Sequence, residues 1–135
     1  MKFTIRKFCW NEPLTELTGC SGDEEEVTVP DGVNVIGFRA FRKCKRLRRV
    51  VLPGSVRGIL SGAFRGFRTL EEVVFSEGLE EIGQDAFEMT GLKSVILPDS
   101  LRRIGFHAFY GCKSLASITI PVSITNFCCS RILNR

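Results

Sequence analysis

The sequence predicts a repeat solenoid. Four consecutive segments carry apolar residues, a proline or serine, an Ala-Phe pair and a late leucine at matching offsets. They are VTVPDGVNVIGFRAFRKCKRLRR (27–49), VVLPGSVRGILSGAFRGFRTLEE (50–72), VVFSEGLEEIGQDAFEMTGLKS (73–94) and VILPDSLRRIGFHAFYGCKSLAS (95–117), with periods of 23, 23, 22 and 23 residues. Units of this length cannot bury an apolar face alone and must stack on their neighbours.

Each repeat opens on an alternating run: Val27 and Val29, Val50 and Leu52, Val73 and Phe75, Val95 and Leu97. Alternation with period two is the strand signal, and Pro30, Pro53 and Pro98 end the run because proline cannot donate to a ladder. Turn residues follow in Asp31-Gly32, Gly54-Ser55, Glu77-Gly78 and Asp99-Ser100. A second apolar pair comes next, Val33 and Ile36, Val56 and Ile59, Leu79 and Ile82, Leu101 and Ile104. The pairs Ala40-Phe41, Ala63-Phe64, Ala86-Phe87 and Ala108-Phe109 then lead through a turn or a short helical twist to Leu47, Leu70, Leu92 and Leu115. Stacking turns these positions into ladders, with phenylalanine the largest contributor at roughly 150 to 250 Å² per ring.

The ends are less regular. Residues 1–26 read as an N-terminal cap, with Phe3, Ile5, Phe8 and Trp10 available to cover the first coil; an irregular tail is the other reading. Residues 118–135 begin a fifth repeat, but Arg131 and Ile132 stand where alanine and phenylalanine belong. That segment is either a degenerate repeat folding Ile124, Phe127, Ile132 and Leu133 over the last ladder, or an open edge able to pair with a second chain. Monomer and edge-paired dimer both stay open.

At 135 residues, 44% hydrophobic and 25% charged, the chain has the composition of one packed unit. No apolar run approaches the roughly 18 to 20 residues of a membrane-spanning helix. Arg6, Lys7, Asn11 and Glu12 interrupt the N-terminal apolar residues, so no signal peptide is read and the chain as written is expected in the cytoplasm.

Six cysteines raise the question of disulfides or zinc. Cys44 and Cys112 fill the same slot in the first and fourth repeats, and stacking at about 4.8 Å per coil puts them roughly 14 Å apart, beyond the ~7 Å limit for a disulfide. They read as small core residues. A bond between Cys9 and Cys20 stays open for an oxidising compartment. Cys128 and Cys129 are adjacent, and no CxxC pair or histidine partner completes a metal site.

No enzyme is read from the sequence. The single histidine, His107, occupies a slot filled elsewhere by Arg39, Gly62 and Asp85, a tolerance that suggests a solvent-facing position, and no nucleophile stands at a triad spacing from it. The glycines mark turns, and no phosphate-binding motif appears. Neither a cofactor nor a metal is therefore expected.

Charge carries more information. Residues 39–68 hold ten basic and no acidic side chains, so the overall +4 hides a band of +10. Part of it is stacking: Glu25-Glu26, Arg48-Arg49, Glu71-Glu72 and Lys93-Ser94, and in a second row Arg57, Glu80-Glu81 and Arg102-Arg103, alternate in sign at equivalent positions, which pairs opposite charges on adjacent rungs and opposes register slips. The remainder, Arg39, Arg42, Lys43, Lys45, Arg46, Arg65 and Arg68, follows the Ala-Phe pairs as a basic patch. These seven are the candidate partner-binding residues, for an acidic protein, nucleic acid or another anionic surface; a plain solvated face would read the same.

The pattern I-x-L-P-x-S-L-x-x-I-G-x-x-A-F-x-G-C-x-x-L, seen almost whole in the fourth repeat as far as Leu115, resembles the leucine-rich repeats of the BspA-like, or Treponema pallidum, type. The resemblance covers residues 27–117 strongly and 118–135 weakly. It implies an α/β-type leucine-rich repeat solenoid, right-handed and of about five coils, with short parallel strands joined by turns or short helical segments. It further implies a protein-binding module, often of surface or secreted proteins engaged in adhesion and host contact, which sits uneasily with the missing export signal. Alternatives are a binder of nucleic acid or an anionic surface through the basic ridge, and a structural fragment of a longer array.

Overall fold

Phenylalanine decides how the coils sit on one another. In the structure, a computed structural model that describes residues 1–9, 13–122 and 124, Phe41, Phe64, Phe87 and Phe109 stack in one column. Successive ring centroids lie 5.1, 4.9 and 5.3 Å apart with interplanar angles of 12°, 6° and 2°. All four are at most 1% exposed. That spacing is close to the ~4.8 Å between paired strands, so one ring per coil fills the interior without stretching the backbone ladders. Around the column lie the valine, leucine and isoleucine ladders expected from the pattern, with Ala40, Ala63, Ala86 and Ala108 giving the neighbouring rings room.

The alternating runs form β3 (Glu26–Thr28), β5 (Arg49–Val51), β7 (Glu72–Val74), β9 (Ser94–Ile96) and β11 (Ser117–Thr119). The second apolar pairs form β4 (Val35–Ile36), β6 (Gly58–Ile59), β8 (Glu81–Ile82) and β10 (Arg103–Ile104). Each set stacks in parallel, one strand per coil, to about five turns in all. The first set is interrupted between β7 and β9. The break falls at the 22-residue repeat, where Gly91 is drawn so close to Arg68 that a Cβ would strike its carbonyl oxygen.

At the N-terminus β1 (Lys2–Cys9) and β2 (Pro13–Ser21) form an antiparallel hairpin, and β2 pairs in parallel with β4, so the second sheet runs β1-β2-β4-β6-β8-β10. Met1 and Phe3 pack on the core from there. The hairpin register sets Cys9 opposite Pro13 and Cys20 opposite Phe3, at opposite ends of strands roughly 20 Å long. A Cys9–Cys20 disulfide is therefore excluded by geometry. Cys44 and Cys112 are buried as expected, the latter donating from Sγ to the Phe87 carbonyl at 3.0 Å. Ile124 packs against the core, whereas Trp10, Phe127, Arg131, Ile132 and Leu133 lie outside the described residues.

The third side of each coil consists of turns; no helix occurs among the described residues. Its hydrogen bonds span three residues, as in Ala63 N to Leu60 O and Phe67 N to Phe64 O. The residue before each Ala-Phe pair is left-handed, at φ 49° for Arg39, 68° for Gly62, 58° for Asp85 and 58° for His107, which breaks helical continuation. Backbone shape therefore explains the mixed occupancy of that slot. Exposure there is not uniform: Arg39 is exposed, whereas the His107 ring is half-buried between Phe106 and Tyr110, with Asp85 at 3.9 Å.

Side chains stitch the turns as well. Ser55 Oγ accepts from Gly32 N–H and donates to Val33 O, and Ser100 repeats this with Gly78 and Leu79 one pair of coils further on. Outside, Glu26–Arg49–Glu72 and Arg48–Glu71–Lys93 form the alternating ion-pair rungs.

Replacing Phe64 by alanine opens the middle of the ring column and is expected to cost about 3 to 5 kcal/mol, read from urea unfolding. Hydrogen bonds from Arg48 hold the Glu71 carboxyl below the usual carboxylate range, with the Arg48 and Lys93 charges adding to it. A depressed carboxylate stabilises the fold above its unfolded pKa and loses that contribution as pH falls through the folded one. Arg48→Gln is thus expected to raise the Glu71 pKa in a carboxyl NMR titration, and its stability deficit should vanish as pH drops through the acid range.

Candidate functional site

The corner between the second strand set and the Ala-Phe turn is occupied by glycine in three coils: Gly37, Gly83 and Gly105. Close approach dictates this. A Cβ on Gly83 would stand 2.6 Å from Ser61 N and 2.9 Å from Leu60 C in the coil below, and Gly105 is crowded in the same way by Gly83 and Gln84. In the second coil the corner residue is Leu60, 41% exposed. By the geometry at Gly83 and Gly105, a side chain at this corner is directed at the coil below, which for Leu60 is the first.

The backbone records the consequence. On the turn side, Gly62, Phe64 and Gly66 donate to Gln84, Ala86 and Glu88, and Asp85, Phe87 and Met89 donate to Phe106, Ala108 and Tyr110. The equivalent Arg39 and Phe41 amides make no backbone bond to the second coil. Lys43 also departs from the pattern. Gly66, Met89 and Gly111 at its slot are left-handed, whereas Lys43 is not and bridges back to Ser21 at the end of β2. The first two coils therefore stay joined along their strands and part along their turns.

The parting leaves a cleft of about 200 Å³ lined by Arg39, Arg42, Ala63, Arg65, Gly66 and Phe67. Arg39 and Arg42 also wall a second cleft of about 240 Å³ toward the hairpin, which Lys43, Thr4 and Thr18 help to line. A third, of about 330 Å³, contains Lys45, Arg46 and Arg68 together with the carboxylates of Glu25 and Glu71.

All seven candidate cations are exposed and lie on this ridge. Two have carboxylate partners that sequence reasoning did not assign: Arg46 with Glu25 at 3.3 Å and Arg65 with Glu88 at 3.1 Å. Arg39 lies 5.6 Å from the ring centroid of Phe38, itself 62% exposed. Arg42, Lys43, Lys45 and Arg68 form no ion pair among the described residues. Leu60 was missed as a site-shaping residue, although its signal, glycine at the same offset in the other three repeats, is in the sequence.

Other surfaces are less concentrated. The outward strand positions carry Val51, Val74 and Ile96, of which Ile96 is 71% exposed. No group of three or more potential metal-ligating side chains occurs among the described residues.

The model of the BspA type leucine rich repeat region matches residues 18–131 in six copies. Among solved structures, the pneumococcal vaccine antigen PcpA superposes with a TM-score of 0.73 at 20% identity, over 90% of this chain and 37% of that one. A leucine-rich repeat protein of Bacteroides capillosus gives 0.70 at 22% identity, over 85% and 92% of the two chains. The leucine-rich repeat protein of T. pallidum gives 0.66 at 24% identity, over 87% and 80%. At such identities the likeness speaks to the fold alone. No curated protein matches the chain.

Leu60→Gly is expected to let the turn sides of the first two coils close. Amide hydrogen exchange should then show the Arg39 and Phe41 N–H groups protected at least about tenfold more strongly than in the wild type. Unchanged protection would remove Leu60 as the cause of the cleft.

Proposed function

The chain belongs to the BspA-type leucine-rich repeat family, and from that premise we propose that it is a non-enzymatic protein-interaction module docking an acidic protein partner on the ridge beside the Ala-Phe turns. Solenoids of this kind engage partners over extended surfaces rather than through one enclosed pocket. The observation that carries the reading is the unpaired set Arg42, Lys43, Lys45 and Arg68, exposed on one side of two adjacent coils while the rungs beside them are neutralised pair by pair. Concentrated charge of one sign steers an oppositely charged partner and fixes its register. Phe38 supplies an exposed aromatic next to the cations, the kind of anchor that protein interfaces favour.

A nucleic acid would also be drawn to these cations. Two features favour protein. Glu25, Glu71 and Glu88 are interspersed along the ridge and would repel a continuous phosphate chain, and among the described residues a single exposed ring, Phe38, lies over a ridge cation, Arg39, where single-strand binders stack successive bases.

The test is affinity capture with the wild-type chain and with the quadruple variant Arg42→Glu, Lys43→Glu, Lys45→Glu, Arg46→Glu, both first shown to be folded by circular dichroism. Acidic proteins captured by the wild type, resistant to nuclease and lost from the variant and at raised salt, are the expected result. Capture that survives charge reversal would move the partner surface to the strand side around Ile96. Capture abolished by nuclease would replace the protein partner by a nucleic acid.

A further inference from the structure

We propose that the cleft between the first two coils receives a single aspartate or glutamate side chain of the acidic partner, held by Arg39, Arg42 and Arg65. This rests on the reading of the ridge as a docking surface and narrows it to one place. Seven cations spread over two coils would attract acid diffusely; what distinguishes this point is the combination of an opening with three guanidinium groups around it.

The opening is built into the chain. Leu60 in place of glycine holds the corner apart, and Lys43 takes the first turn toward β2, so the turn-side bonds that close the later coils are missing here. The three arginines are set at its rim by different means. Arg65 is fixed by Glu88 at 3.1 Å, a carboxylate whose side chain is only 11% exposed. Arg39 leans on the Phe38 ring. Arg42, between the two clefts, has no acidic partner among the described residues and offers its planar fork to a bidentate carboxylate.

The rest of the ridge is chemically different. In the cleft of Lys45, Arg46 and Arg68, the carboxylates of Glu25 and Glu71 already compensate much of the charge, so an incoming acid gains less there. The Arg39–Arg42–Arg65 cleft has no carboxylate in its lining; Glu88 pairs with Arg65 from outside it, which leaves Arg39 and Arg42 uncompensated among the described residues. The lining also holds apolar surface, Ala63 and the half-buried Phe67, and exposed Phe38 lies beside Arg39 with its ring so close to Gly62 that a Cβ there would meet it at 2.8 Å. The fitting ligand is therefore an acidic peptide segment with one large apolar side chain next to the inserted carboxylate.

The probe is a fluorescein-labelled decapeptide of aspartate and glutamate with one central phenylalanine, measured by fluorescence anisotropy. Two triple variants remove the same charge from different places: Arg39→Gln/Arg42→Gln/Arg65→Gln at the cleft and Lys45→Gln/Arg46→Gln/Arg68→Gln beyond it. All six side chains are exposed, and circular dichroism checks that both variants fold. The cleft triple is expected to weaken binding at least about tenfold and the outer triple less than about threefold. Equal losses would overturn the cleft while leaving the ridge as a docking surface. No loss from either triple, or no binding by the wild type, would overturn both readings. A ten-nucleotide oligothymidylate bound more tightly than the peptide through the same three arginines would overturn the ligand class.

Discussion

Everything in this molecule depends on the fact that a single coil has nowhere to put its phenylalanine except against the phenylalanine of the next. The rings stack at 4.9 to 5.3 Å, nearly the spacing that backbone ladders impose, so the interior and the strands demand the same rise. Every other feature must be compatible with that rise. Alanine before each ring, glycine at the corner and a left-handed residue at the turn are conditions for neighbouring coils to approach so closely. This also explains why a short chain with short strands can hold a continuous core: contacts between neighbours replace length within an element.

Stacking at this rise brings identical side chains into register, which makes charge a structural problem. The sequence answers it with alternation. Glu26, Arg49 and Glu72 face one another along one row, and Arg48, Glu71 and Lys93 along the next. Each exposed pair contributes little on its own, roughly 0 to 1 kcal/mol, but like charges in those rows would oppose the stack and a slipped register would create them. Among the cations after the Ala-Phe turns, Arg42, Lys43, Lys45 and Arg68 do not obey this rule. The fold gains nothing evident from their number.

The architecture was legible because periodicity is redundant: four copies of one pattern specify strand, turn and core slots several times over. The burial of Cys44 and Cys112 followed from the same slots. Features carried by one residue were harder to see. The choice between turn and helical twist depended on backbone shape at Arg39, which gives no sign of a positive φ, and at Asp85 and His107, where the residue type gives only a weak one. The Cys9–Cys20 alternative depended on hairpin register, which no repeat encodes. The carboxylate on Arg46 came from diagonal reach between coils, Glu25 aligning with Arg48 rather than with Arg46, whereas Glu88 holds the slot of Arg65 in the next coil and its pairing was open to the same-row alignment.

Leu60 shows how a departure from a repeat can be read as design rather than decay. A degenerate position in a solenoid normally costs packing, and an alkyl group at a corner that elsewhere admits only hydrogen should cost it severely. Here the ring column continues undisturbed beneath it, Phe41 on Phe64 at 5.1 Å, and the strand ladder still closes through the Leu60 amide to the Ile36 carbonyl at 3.0 Å. The cost is confined to the turn side, where water can reach the parted backbone. That is also where the unneutralised cations gather. A gap between coils lined by guanidinium groups is more easily hydrated than an apolar one, so the same charges that would strain a closed stack make an open one tolerable. The two departures from the repeat, in packing and in charge, therefore sustain each other, and proteins tend to keep such local violations at the sites they use.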